Sequence, residues 1–291
     1  MSLPLCKYAD ISRSGYYTWK KRQRNLEINS KELQDRHDFE LILNIYNHRG
    51  YDKGSRSIHM QLKMKGIIMN RKKVQRLMRK YGLFCPIRKP NPYKKMLKAI
   101  ETSTIADNLV NREFTKYGPR YILLTDITYL SYGKGLKAYL SSIKDAFTKE
   151  ILALVVSVTL EEDFVLETIE ILMKNHKNEL NTDALVHSDQ GVHYKAYSFQ
   201  NLLKDKNIRQ SMSRKANCWD NAPQESFHGH MKDEIDLSKC NNIDDVKRVI
   251  SDYMDYYNNE RCQWSLAKLP PALYYKYVQT DIYPFNTSNN H

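Results

Sequence analysis

Two periods of apolar residues divide this chain of 291 residues. Near the N-terminus the spacing is helical. Phe39, Leu41, Ile42, Ile45 and Tyr46 give residues 31–48 a single apolar face, which predicts a helix. Gly54-Ser55 starts a second, short helix through Ile58 and Leu62 that stops at Gly66. A third opens at Asn70, a good N-cap, with Val74, Leu77, Met78 and Tyr81 at i, i+3, i+4 and i+7 and Gly82 as its stop. The N-terminal region therefore reads as a set of short helices.

From about residue 120 the pattern turns to strands. The β-branched run Tyr121-Ile122-Leu123-Leu124-Thr125-Asp126-Ile127-Thr128-Tyr129 predicts a strand over 121–131. Gly133-Lys134-Gly135 predicts a hairpin into strands 136–144 and 150–158. Glu161-Glu162-Asp163 opens a helix to about 175, and strand 184–188, helix 196–205 and strand 208–212 follow. Another helix opens at Asn221-Ala222-Pro223, with Asn221 as cap and Pro223 tolerated in a first turn that needs no amide donors. Helix 243–259 and a Pro270-Pro271 tail close the chain.

Charge sharpens this division. The net charge is +13, yet residues 1–100 hold 24 Lys and Arg against 7 Asp and Glu, leaving the other 191 residues mildly acidic. A basic third joined to an acidic body fits a nucleic-acid-binding region feeding a metal-using core. The third helix concentrates Arg71, Lys72, Lys73, Arg76, Arg79 and Lys80 opposite its apolar stripe. With the short helix before it and a glycine-containing turn between them, it reads as a helix-turn-helix that contacts DNA. A solvated basic face on a bundle helix is the competing reading. Residues 84–113, where Pro86, Pro90 and Pro92 sit among lysines and arginines, read as a basic linker. The expected domains are 1–83 (helical, DNA-binding), 84–113 (linker), 114–278 (core) and 279–291 (tail).

Five scattered cysteines without a CxxC pair argue against a disulfide framework and a structural zinc. No secretory segment or long apolar run is present, so a cytoplasmic protein is expected.

Three acids carry the candidate chemistry. Asp126 lies in the first strand, Asp189 ends the run Ala184-Leu185-Val186-His187-Ser188-Asp189, and Glu225 sits just inside the helix that opens at Asn221; 35 residues separate the last two. Carboxylates converging from two strands and a helix repel one another unless cations lie between them. A pair of hard divalent ions is the simplest occupant.

The segments Thr125–Tyr129, His187–Tyr194 and Ser211–Phe227 resemble the catalytic-core signature of insertion-sequence transposases, specifically the B-frame product of the IS-three group within the retroviral-integrase (DDE) superfamily. The resemblance continues through Asn258-Asn259-Glu260-Arg261 and Leu269-Pro270-Pro271. It reaches back to Ser12-Arg13-Ser14-Gly15-Tyr16-Tyr17, so it covers nearly the whole chain. Leu123, Lys149 and Ala216 depart from the Trp, Arg and Gly usual in the family.

The resemblance implies an α/β ribonuclease H-like catalytic core, a mixed five-stranded sheet with flanking helices, after an all-α, helix-turn-helix-like region. It implies two Mg2+ (or Mn2+) ions on Asp126, Asp189 and Glu225, serving DNA cleavage and 3′-hydroxyl strand transfer. The implied partners are element terminal repeats and target DNA, with a homo-oligomer on DNA and the A-frame or a fused A-B product. Lys232, two turns after Glu225 on the same face, is expected to meet substrate phosphates, and Arg214 and Lys215 to reach the same backbone. Asn217 and Trp219 are candidates for DNA ends or bases, with a buried loop anchor equally open for Trp219. His187 alternates to the face of Asp189, where it meets DNA or a metal-bound water, or is a structural histidine. Two other functions stay open: a B-frame accessory protein without autonomous transposition, suggested by family-like sequence starting almost at Met1, and a ribonuclease H-like nuclease that only hydrolyses.

Overall fold

The computed structural model describes residues 12–86, 108–110, 113–213 and 221–285. The chain forms two compact units, Met1–Cys85 and Pro86–His291.

The first unit is helical. Helix α1 (Arg13–Asn47) is one continuous element of 35 residues, where a helix from residue 31 was expected. Its first half has helix-forming Lys, Arg, Gln and Leu but no apolar stripe, so periodicity does not reveal it. The start is fixed by Ser12, whose Oγ accepts the Gly15 N–H at 3.0 Å. At the other end the buried Lys53 ammonium donates to the carbonyls of Tyr46, His48 and Tyr51 at 3.2, 2.5 and 2.8 Å. That cation satisfies acceptors which the helix terminus leaves open. Helices α2 (Ser55–Met64) and α3 (Arg71–Lys80) follow as expected, with the Asn70 side chain accepting the Lys72 N–H at 2.8 Å. The core between the three helices is Ile42, Ile45, Ile58, Leu62, Val74 and Leu77.

The second unit is built on five strands: β1 (Ile122–Tyr132), β2 (Leu136–Asp145), β3 (Ile151–Ser157), β4 (Leu185–Ser188) and β5 (Arg209–Met212). Their order is β3-β2-β1-β4-β5, the first three antiparallel and β4 and β5 parallel to β1. This mixed sheet is the ribonuclease H-like arrangement. The β1–β2 hairpin needs glycine at residue 133, because φ is +52° and a Cβ there would meet the Cys240 carbonyl oxygen at 2.8 Å.

Helix α4 (Asp163–His176) packs Phe164, Val165, Ile169 and Leu172 onto the sheet. Short helix α5 (Val192–Lys195) and α6 (Tyr197–Asp205) lie between β4 and β5, and α7 (Ala222–Glu234), α8 (Ile243–Asn259) and α9 (Pro271–Thr280) complete the unit. The Pro270-Pro271 segment is thus a helix start, not a tail, because proline's missing N–H costs nothing at the first helical position. Edge strand β3 is covered at Ile151, whose N–H and C=O pair with the Asn258 side chain at 3.0 and 2.9 Å. No helix among the described residues is long and apolar enough to cross a membrane.

Candidate active site

Strand register brings the two aspartates together. β1 and β4 pair in parallel as Ile122↔Leu185, Leu123↔Val186 and Leu124↔His187. Two residues further along that register Asp126 stands beside Asp189, which lies one residue past the end of β4. Neighbouring strands are roughly 4.8 Å apart, so the carboxylates share one patch of the sheet, where β4 ends beside β1.

Their electrostatics agree with that placement. The Asp189 side chain is reached by solvent, yet its carboxyl is raised above the usual range, first by the protein packed around it and further by the charge of Asp126. One oxygen of each group is held by backbone: the Ile127 N–H donates to Asp126 Oδ1 at 2.9 Å and the Gly191 N–H to Asp189 Oδ1 at 2.8 Å. Glycine at 191 is what allows that approach, since a Cβ would lie 2.9 Å from the same oxygen.

Helix α7, which bears Glu225, is held beside this patch by several anchors. The Asn221 side chain does not cap the helix as expected; its amide donates to the Thr125 carbonyl at 3.2 Å, one residue before Asp126. Ser142, the cross-strand partner of Asp126, meets Gln224 Nε2 at 2.7 Å and His228 Nε2 at 3.1 Å. The other imidazole nitrogen, Nδ1, lies 3.4 Å from Asp126 Oδ2. Buried Lys144 donates to the Pro223 carbonyl at 2.8 Å, and Arg261 grips Glu234 at the far end of the helix with contacts of 2.5 to 3.1 Å.

Glu225 itself is exposed, one turn before His228 on the same helix face. Among the described residues no three His, Cys, Asp or Glu side chains are grouped to hold a metal ion. The aspartate pair fits a divalent cation, being two crowded carboxylates whose mutual charge raises one of them. Glu225 lies one helical turn before His228, the residue of that helix that meets Asp126.

Comparison with known proteins places this geometry. Residues 116–218 and 206–271 match integrase core domains, and residues 32–91 an HTH-like domain. A transposase-like protein of Haemophilus influenzae is 39% identical over 72% of this chain and 94% of its own. The putative transposase InsK for insertion sequence element IS150 of Escherichia coli is 34% identical over 93% of this chain and 92% of its own. The chain belongs to the insertion-sequence transposases.

Transposase InsF for insertion sequence IS3A of Escherichia coli is also similar, 28% identical over 79% of this chain and 77% of its own. Among solved structures, the HTLV-2 integrase catalytic core overlaps at a TM-score of 0.42 and 17% identity, over 54% of this chain and 97% of that one. It is the strand order, and not that overlap, that makes the fold ribonuclease H-like. The transposase is a DDE-type polynucleotidyl transferase whose integrase core implies dependence on a divalent metal.

The remaining candidate residues of the transposase's second unit fall into three groups. Lys232 is exposed on α7, and its ammonium pKa is lowered by surrounding protein while Asp126 opposes that shift, which puts the two charges in range of each other. His187 is fully buried, with Nδ1 2.9 Å from Ser211 Oγ across the β4–β5 pair, so of its two readings the structural one describes it. Arg214, Lys215, Asn217 and Trp219 lie outside the described residues.

On α3 the basic residues are not one solvated face. Arg76 makes a fork of 2.8 and 2.6 Å bonds to Asp35, Lys80 meets Glu32 at 2.5 Å and Asp35 at 2.9 Å, and Lys73 pairs with Asp38. Sequence reading missed this because the acids lie some forty residues upstream, as Glu32, Asp35 and Asp38 at i, i+3, i+6 on α1. It also missed His228 and Lys144. The signal for His228 was its place one turn after Glu225, and for Lys144 a single lysine directly after the run Leu140-Ser141-Ser142-Ile143.

Proposed function

We propose that this transposase nicks DNA at the ends of its element and then uses the freed 3′-hydroxyl to attack a second phosphodiester. The observation that carries the proposal is the register pairing of Asp126 with Asp189 beside the helix that bears Glu225. Asp126, Asp189 and Glu225 would hold two Mg2+ (or Mn2+) ions. Bound there, the ions would activate a water or a 3′-hydroxyl and stabilise the departing oxygen in an in-line displacement at phosphorus.

The chain's own side chains do the positioning. Backbone N–H groups of Ile127 and Gly191 each fix one carboxylate oxygen. His228 steadies Asp126 from the helix. Lys232 is a cation near Asp126 that cannot itself bind metal, and it is assigned to a substrate phosphate. Arg214 and Lys215, which directly precede α7 in sequence, are assigned to the same DNA backbone, with Asn217 and Trp219 as further contacts to DNA ends. DNA at the element ends and at the target is the substrate, engaged by an oligomer of this chain. The proposed division of the chain is 1–83 for end binding, 84–113 as basic linker, 114–278 for chemistry and 279–291 as tail.

The test is incubation with labelled element ends in Mg2+ and, separately, in chelator. Joined products in Mg2+ alone support strand transfer. Nicked products without joining identify a nuclease, and end binding without any cleavage identifies an accessory protein.

A further inference from the structure

The four ion pairs between α1 and α3 sort the basic residues of α3 into two flanks. At about 100° per residue, Val74, Leu77 and Met78 define the buried side, and Lys73, Arg76 and Lys80 form the flank that faces the acids of α1. Arg71, Lys72, Gln75 and Arg79 fall on the other flank, within an arc of about 100°. Among the described residues none of these four side chains takes part in a hydrogen bond or ion pair. Lys72, Gln75 and Arg79 are exposed.

A second observation lies three residues before α3. Ile68, in the turn between α2 and α3, is 98% exposed, the most exposed large apolar side chain among the described residues. Solvating an isoleucine to that extent at the entry to a helix gains the fold nothing. Together with the neutral amide and two cations of the helix that follows, however, it makes a set suited to base edges. A major groove admits one helix, an apolar side chain meets the thymine methyl, and a Gln amide pairs with both edge groups of adenine.

We infer that the transposase reads its element ends through the flank of α3 formed by Lys72, Gln75 and Arg79 with Ile68, set in the major groove. Gln75 and Ile68 face base edges, while Lys72 and Arg79 face phosphates on either side. Lys73, Arg76 and Lys80 hold α3 against α1 and give the reading flank a fixed aim, with little part in binding DNA. This rests on the proposal that the chain acts at element ends, and it adds which residues choose the sequence.

The test uses the full chain and two duplexes, one carrying the end of the parent element and one a shuffled sequence of equal length and composition. Affinity for both is measured across a salt series. Gln75→Ala should lower the ratio of the two affinities roughly tenfold while leaving the salt slope unchanged. Ile68→Ala should lower the ratio by a smaller factor. Lys72→Ala and Arg79→Ala should each weaken both duplexes and reduce the slope of log affinity against log salt by about one. All four variants should melt like the wild type, since none loses an internal partner.

A wild type that discriminates the two duplexes, with Gln75→Ala and Arg79→Ala changing neither ratio nor slope, overturns the assignment of this flank while leaving end recognition intact. That result would hand the flank to a protein partner. A wild type that binds the two duplexes equally, with no salt dependence, overturns end recognition itself.

Discussion

His228 Nδ1 lies 3.4 Å from Asp126 Oδ2, so the helix that carries Glu225 touches the strand that carries the first aspartate. The same ring reaches Ser142, the residue paired with Asp126 across β1 and β2. One buried imidazole thus spans both strands and the helix. His228→Leu leaves Ser142 its bond to Gln224 but frees Asp126. We expect a loss of roughly 1–3 kcal/mol in denaturant unfolding, together with joining reduced more than end binding. Joining at the wild-type rate would show that this contact has no part in placing Asp126.

Lys144 supplies a pH signature. Burial, with the charges of Lys149 and Arg261 adding to it, lowers its pKa to about 7. In the unfolded chain it keeps its proton up to its ordinary value of 10.5. Between those limits the unfolded state binds the extra proton, so stability rises with pH, by at most about 1.4 kcal/mol per pH unit. Lys144→Met should flatten that rise and stabilise the protein at pH 7, although it gives up the bond to the Pro223 carbonyl. Unfolding midpoints measured from pH 6 to 10 would show it. An identical slope in wild type and variant would mean that Lys144 stays charged.

Asp35 behaves in the opposite sense. Arg76 and Lys80 hold its carboxyl below the usual range. A depressed carboxylate contributes its full stability above its ordinary value of 3.8 and loses it as pH falls toward the folded value. The helical unit should therefore loosen in acid. Asp35→Asn should lower the melting temperature at neutral pH and remove that acid sensitivity, followed by circular dichroism on the full chain.

Lys232→Ala should raise the DNA concentration needed for joining while leaving the magnesium dependence where it was, because an ammonium offers phosphate a charge but offers metal no lone pair. Lys232→Arg should retain much of the activity if charge alone matters. A shifted metal dependence at unchanged DNA affinity would remove Lys232 from phosphate binding.

Much of the core was legible because local pattern and tertiary demand coincide there. Strand β1 is β-branched and alternates, the hairpin has its glycines, Asp126 lies within the first apolar run and Asp189 closes the second. Asn221 shows the limit. As a residue type it is a good cap, but Thr125 offers its amide a partner that sequence distance conceals. The early half of α1 has propensity without periodicity, which hid its length. The basic stripe of α3 looked uniform because charge counts carry no partner information, whereas Asp35 and Arg76 meet across 41 residues. His187 shares its strand face with Asp189 by alternation, yet it is buried once the sheet is assembled and meets Ser211, its partner on β5.

The carboxylate triad is tested most directly by labelled-end joining with Asp126→Asn, Asp189→Asn and Glu225→Gln, run beside an end-binding assay on the same preparations. Each change removes a charged metal ligand and preserves shape, while DNA affinity rests on phosphate contacts elsewhere. Every variant should bind ends about as well as wild type and form no joined product in Mg2+ or Mn2+. Joining near the wild-type rate by any one of them would contradict the role of that carboxylate, and survival in Glu225→Gln would confine the chemistry to the aspartate pair.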